Sequence, residues 1–129
     1  LEEVRVDIDS EMDADFHMDA LEFIDHWAQI ERDRKFDTVV LDPPYNWRKA
    51  KEKYGSRMIG QYPILKDKIA KMLEPGALVI SFGYDSVGMG NRRGFVKEAI
   101  CLVCHSGDHN DTICTVERML QKESKLWDL

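Results

Sequence analysis

The run Phe36-Asp37-Thr38-Val39-Val40-Leu41 is rich in apolar and β-branched residues and stops against Asp42-Pro43-Pro44-Tyr45. A mostly apolar run of this length suits a strand covered on both faces, and neither proline can extend the ladder, because each lacks a backbone donor. Strands covered on both faces belong to sheets with helices packed against them, so the rest of the chain is expected to alternate strand and helix. Its 129 residues are enough for one domain with a full core and too few for two.

The flanking segments fit that alternation. Val4-Arg5-Val6-Asp7-Ile8-Asp9 alternates apolar and charged residues and predicts a strand ending in acids, followed by a short strand over 15–18. Leu21, Ile24, Trp27, Ala28 and Ile30 then fall at helical spacing, with Asp19 as N-cap and Glu22 as its capping-box partner. Ile64, Leu65, Lys68, Ile69, Met72 and Leu73 predict a second helix, closed by Glu74-Pro75-Gly76. A buried strand over 77–82 follows, then a loop over 83–94 whose four glycines make it mobile or tightly turned. Strands over 95–104 and 111–118 close the chain as a hairpin. This order predicts an α/β open sheet, parallel at first and antiparallel at its end. Ligands of such sheets bind beyond the carboxyl ends of the strands, which singles out Asp7 and Asp9, Met18 and Asp19, 42–45, and 82–84 as one crevice.

The formal charge of -6 argues against indiscriminate binding to nucleic acid, but it conceals an asymmetry. Residues 1–35 carry twelve acids against four bases, whereas 48–73 carry eight bases against two acids. A basic segment on an acidic body suits a local anionic partner, although by spacing alone a solvated helix face fits the same pattern. No window approaches the ~18 apolar residues of a membrane span. Three cysteines cannot all pair, so they are expected as reduced thiols in a cytoplasmic or nuclear protein.

The tetrad Asp42-Pro43-Pro44-Tyr45 carries the most specific chemistry. Two prolines fix the backbone, so the Asp42 carboxylate and the neighbouring carbonyls are aimed in advance. Both are acceptors suited to the two hydrogens of an exocyclic amine, and Tyr45 offers a flat face to a planar base. A carboxylate at the end of a buried strand is costly to keep ionised unless a ligand donor uses it.

At these residues the chain resembles the class I S-adenosylmethionine-dependent methyltransferases, in particular the amino-group enzymes acting on adenine in DNA. Their D/N/S-P-P-Y/F/W signature matches 42–45 at all four positions. The resemblance implies a Rossmann-like sheet, S-adenosylmethionine as cofactor, and methylation of an exocyclic amine, foremost adenine N6 in DNA. Asp42, Pro43, Pro44 and Tyr45 would be the catalytic residues, with Tyr45 stacking on a flipped-out base. Asp7 resembles the family's ribose-binding acid, with Asp9 as its nearby substitute, and Asp19-Ala20 resembles the acid that meets the cofactor's adenine amine. Leu73-Glu74-Pro75-Gly76-Ala77 is similar to the family's L-x-P-G-G turn. Trp47, Arg48, Lys49, Lys51 and Lys53, in the position of a substrate-facing loop, would stack on bases and track phosphates; packing of that loop onto the sheet fits them equally. The segment 46–62 is expected to be a mobile basic arm. No metal is needed for a direct displacement on carbon.

The family's glycine-rich cofactor loop, and the strand that leads into it, do not occur in this sequence; Gly88-Met89-Gly90 follows a later strand. This implies either a chain without that N-terminal part, leaving two unpaired strand edges facing each other, or direct pairing of 4–9 with 36–41. Cofactor binding by these residues alone is expected to be weak. The alternatives are an RNA base methyltransferase and a degenerate, non-catalytic binding module. Cys101-Leu102-Val103-Cys104-His105 is a literal haem-attachment pattern inside a strand, where residues three apart point to opposite faces. Cys101, Cys104, His105 and His109 also have the composition of a zinc set, but in too short a turn; no metal is expected there.

Overall fold

The computed structural model describes residues 3–43, 57–107 and 110–120, with 57–60 described by backbone alone. In chain order the elements are β1 (Val6–Asp7), β2 (Phe16–His17), α1 (Ala20–Ile30), β3 (Phe36–Leu41), α2 (Arg57–Ala70), β4 (Leu73–Gly83), a 3-10 turn (Asn91–Arg93), β5 (Phe95–Val103) and β6 (Thr112–Met119). The fold is an open α/β sheet. Its main part has strand order β3-β4-β6-β5, with β3 and β4 parallel and β6 antiparallel to both β4 and β5. β1 and β2 form a separate parallel pair.

The helices pack on one face of the sheet. Phe23, Ile24 and Trp27 of α1 and Leu65 and Ile69 of α2 share a core with Leu73, Ala77 and Val79 of β4. Val79 stands opposite Glu117, and Ser81 opposite Thr115, so these side chains lie on the helix-covered face. The other face carries Val40, Ile80, Val116 and Ala99, which are register partners in turn across all four strands. Val40 is 59% exposed. This corrects the expectation that 36–41 is covered on both faces: among the described residues only one face is. β3 is also the last strand of its sheet, which leaves its outer edge without a ladder among the described residues.

The N-terminal strand is shorter than the alternation predicts because its acids capture their own backbone. Asp9 N–H donates to Asp7 Oδ1 at 2.8 Å, and Glu11 N–H donates to Asp9 Oδ1 at 3.0 Å. These local turns end β1 at Asp7. β1 pairs with β2, Val6 opposite Phe16, and does not pair with 36–41. Of the two arrangements inferred for the missing strand, direct pairing is therefore overturned. α1 begins as expected: Asp19 is its N-cap and accepts from Leu21 N–H at 3.2 Å.

Around the second helix two boundaries move. α2 is already helical at Arg57, so the last part of the expected arm, 57–62, is helix; it ends at Ala70, before Met72 and Leu73. β4 starts at Leu73, but its register shifts between Phe36↔Leu73 and Thr38↔Leu78, so Glu74-Pro75-Gly76 bulges out of the ladder. The turn chemistry interrupts the strand without delaying it.

The glycine-rich loop after β4 is tightly turned, and a buried acid holds it. Glu117, only 1% exposed, accepts from Met89 N–H at 2.7 Å and from Gly90 N–H at 2.9 Å. Gly88 has φ +58°, and a Cβ there would lie 2.0 Å from Glu117 Oε1. The carboxylate cannot swing aside without losing both hydrogen bonds. Gly88→Ala is therefore expected to destabilise the fold by about 2–3 kcal/mol. Urea denaturation checks this, and an unshifted midpoint would contradict the clamp. No helix among the described residues is long and apolar enough to cross a membrane.

Candidate active site

Between the β1–β2 pair and the outer edge of β3 lies a cleft of about 670 Å3. Val6 and Asp7 of β1 line one side, Phe36 to Leu41 line the other, and α1 and α2 form the floor through Phe23, Ile24, Leu65 and Ile69. Residues of β1 and of β3 thus border one cleft.

Several residues singled out in the sequence meet there. Asp7, Asp19 and Ala20 line the cleft near its β1 side, and Asp42 and Pro43 line it beyond the end of β3. Chain geometry explains the convergence. β1 and β3 both present carboxyl ends to the cleft, and α1 starts from it with its N-cap. Asp7 and Asp19 each spend one oxygen on a backbone N–H. A carboxylate has about four acceptor sites, so each retains capacity for a ligand hydroxyl or amine.

Other expected members do not join them. Asp9 and 82–84 are not among the lining residues, and the Asp9 carboxylate is used by the turn at Glu11. Asp42 is exposed, which corrects the expectation of a carboxylate buried at the strand end: the outer face of β3 is open beside it. Pro44, Tyr45, Trp47, Arg48, Lys49, Lys51 and Lys53 lie outside the described residues.

Tyr62 of α2 is the residue whose place the sequence does not reveal. Its ring lines the cleft, and its hydroxyl is pushed up to about 12 by burial, then by the charges of Asp85 and Asp42. It stays a neutral phenol across the physiological range, a hydrogen-bonding group rather than a base. Lys66 places its Nζ 4.6 Å from the Tyr62 ring centroid and donates to Gly88 O at 2.8 Å. Burial, then Arg93, lowers the Lys66 ammonium below the ordinary lysine range. Lys66 and Lys68, counted in the basic run, thus serve the chain itself, Lys68 by pairing with Asp25 at 2.6 Å. Among the described residues no three metal-ligating side chains converge; His109 lies outside them.

Several solved structures share this arrangement. The chain is similar to M1.HpyAVI in complex with SAM, with TM-score 0.60 and 14% identity over 94% of this chain and 56% of that one. The fold is that of the Rossmann-like methyltransferases. M1.HpyAVI without that complex gives TM-score 0.53 and 14% identity over 95% of this chain and 58% of that one. SMU.776 complexed with SAH gives 0.54 and 12% identity over 81% and 31%. The chain spans little more than half the length of M1.HpyAVI. No protein-family model and no curated protein matches the sequence.

Proposed function

We propose that this chain is the core of an S-adenosylmethionine-dependent methyltransferase acting on an exocyclic amine, foremost adenine N6 in DNA. The observation that carries the reading is convergence: Asp7, Asp19 and Ala20 share one cleft with Asp42 and Pro43. The methyltransferase fold and the SAM complex of a structural neighbour support the same cofactor.

The cleft residues fit the adenosyl part of that cofactor. Asp7 supplies acceptors for ribose hydroxyls, Asp19 for an adenine amine, and Val6, Phe23 and Ile24 supply an apolar bed for a planar ring. When bound, the cofactor supplies an electrophilic methyl group. Asp42 and the Pro43 carbonyl would accept the two hydrogens of the target amine, turning its lone pair toward that group, while Tyr45 stacks on the base. Such a displacement depends on positioning and exclusion of water.

Transfer of labelled methyl from S-adenosylmethionine to duplex DNA, single strands and structured RNA tests the substrate class, with incorporation into duplex adenine expected. Preference for RNA would favour the RNA base reading. Cofactor and nucleic-acid binding without any transfer would favour the non-catalytic module. A second expectation concerns Arg48, Lys49, Lys51 and Lys53. Replacing all four with Gln should weaken DNA binding and reduce its salt slope by up to about 3.6, since each phosphate contact contributes about 0.9. An unchanged slope would remove these residues from the interface.

A further inference from the structure

Independently of the methyltransferase reading, the geometry points to Cys101 and Cys114 as a reversible thiol-disulfide site that staples the C-terminal hairpin. Cys101 on β5 stands directly opposite Cys114 on β6 in the antiparallel register. Directly opposed residues project to the same face of a sheet, with Cα atoms about 4.5 or 5.5 Å apart. Both spacings fall within the Cα range of about 4.4–6.8 Å that a disulfide spans, so the register brings the pair within bridging distance. The site is also accessible. Both thiols are free, Cys101 is exposed, and Cys114 is half-buried on the open face of the sheet. Cys104, one residue past the end of β5, has no partner in this register.

A low-molecular-weight disulfide is the oxidant the site takes. The exposed Cys101 thiolate attacks one sulfur of oxidised glutathione, forming a mixed disulfide and releasing one glutathione thiolate. Cys114 then attacks Cys101 Sγ, the mixed disulfide breaks, and the second glutathione leaves. The two protein thiol protons pass to the two glutathione thiolates, so the protein is oxidised by two electrons and one disulfide is reduced. The product closes a loop of fourteen residues, 101–114, which restricts the unfolded chain.

The test treats the reduced full chain with oxidised glutathione, then combines non-reducing peptide mapping with thermal unfolding. The expected result is a single Cys101–Cys114 linkage and a rise in unfolding midpoint of about 5–10 °C, reversed by dithiothreitol. Cys104→Ser should keep both effects, and Cys101→Ser, an exposed substitution that leaves the core intact, should lose both. A stable glutathione adduct on Cys101, a linkage involving Cys104, or a correct linkage with no rise in midpoint would overturn the proposal.

Discussion

Asp42→Ala is expected to slow methyl transfer at least about a hundredfold under single-turnover conditions, while leaving the fold intact. Asp42 follows the last residue of β3 and is exposed, so its carboxylate contributes little to stability. What it offers is an acceptor fixed in place by the proline beside it, at the rim of the cleft that holds Asp7 and Asp19. Losing a positioning hydrogen bond lets the amine drift from the line of attack, and displacement of about 1 Å costs on the order of a hundredfold. Asp42→Asn keeps an acceptor oxygen and should retain more activity than Asp42→Ala, as the resembling family accepts Asn there. Equal single-turnover rates for wild type and Asp42→Ala would show that the tetrad does not position the amine.

Trp27→Ala is expected to destabilise the fold by about 3–5 kcal/mol, the range for emptying a large buried aromatic site. Trp27 is 3% exposed. Its ring lies 5.5 Å from that of Phe23 and 5.6 Å from that of Phe36, with Phe16 edge-on at 6.1 Å. Those three rings come from α1, β3 and β2, so this one side chain ties the β1–β2 pair to the main sheet. A loss of this size is a large share of the roughly 5–15 kcal/mol that holds a domain together. Chemical denaturation measures it, and a loss below 1 kcal/mol would show that the cluster is not the hinge of the N-terminal packing.

The elements that repeat a simple period were readable in the sequence. The β3 run, stopped by proline, appears with its ends at Phe36 and Leu41, and the Asp19 cap starts α1 where its side chain predicts. What escaped were competitions that periodicity does not encode. Alternation favoured a long first strand, but Asp7 and Asp9 folded the backbone into side-chain turns. The apolar β3 run suggested two covered faces, yet coverage depends on neighbours that a run cannot reveal. Tyr62 falls within the segment expected as a mobile arm, whereas α2 begins at Arg57 and carries it to the cleft. Glu117 carries no signal of its place: in a strand that also holds Thr112, Thr115 and Arg118, no period marks it as the inward charge that pairs with the glycine loop. The strand-end rule made the meeting of Asp7, Asp19 and Asp42 in one crevice legible, whereas the separation of Asp9 and 82–84 from it depends on local turns that the rule does not encode.

That meeting is tested most directly by recording amide shifts of the isotopically labelled chain while S-adenosylhomocysteine is added. The account predicts weak, saturable binding, with the largest shifts at Asp7, Asp19, Ala20 and Asp42, which border the cleft. Shifts that never saturate, or saturable shifts confined to the β5–β6 hairpin, would contradict it.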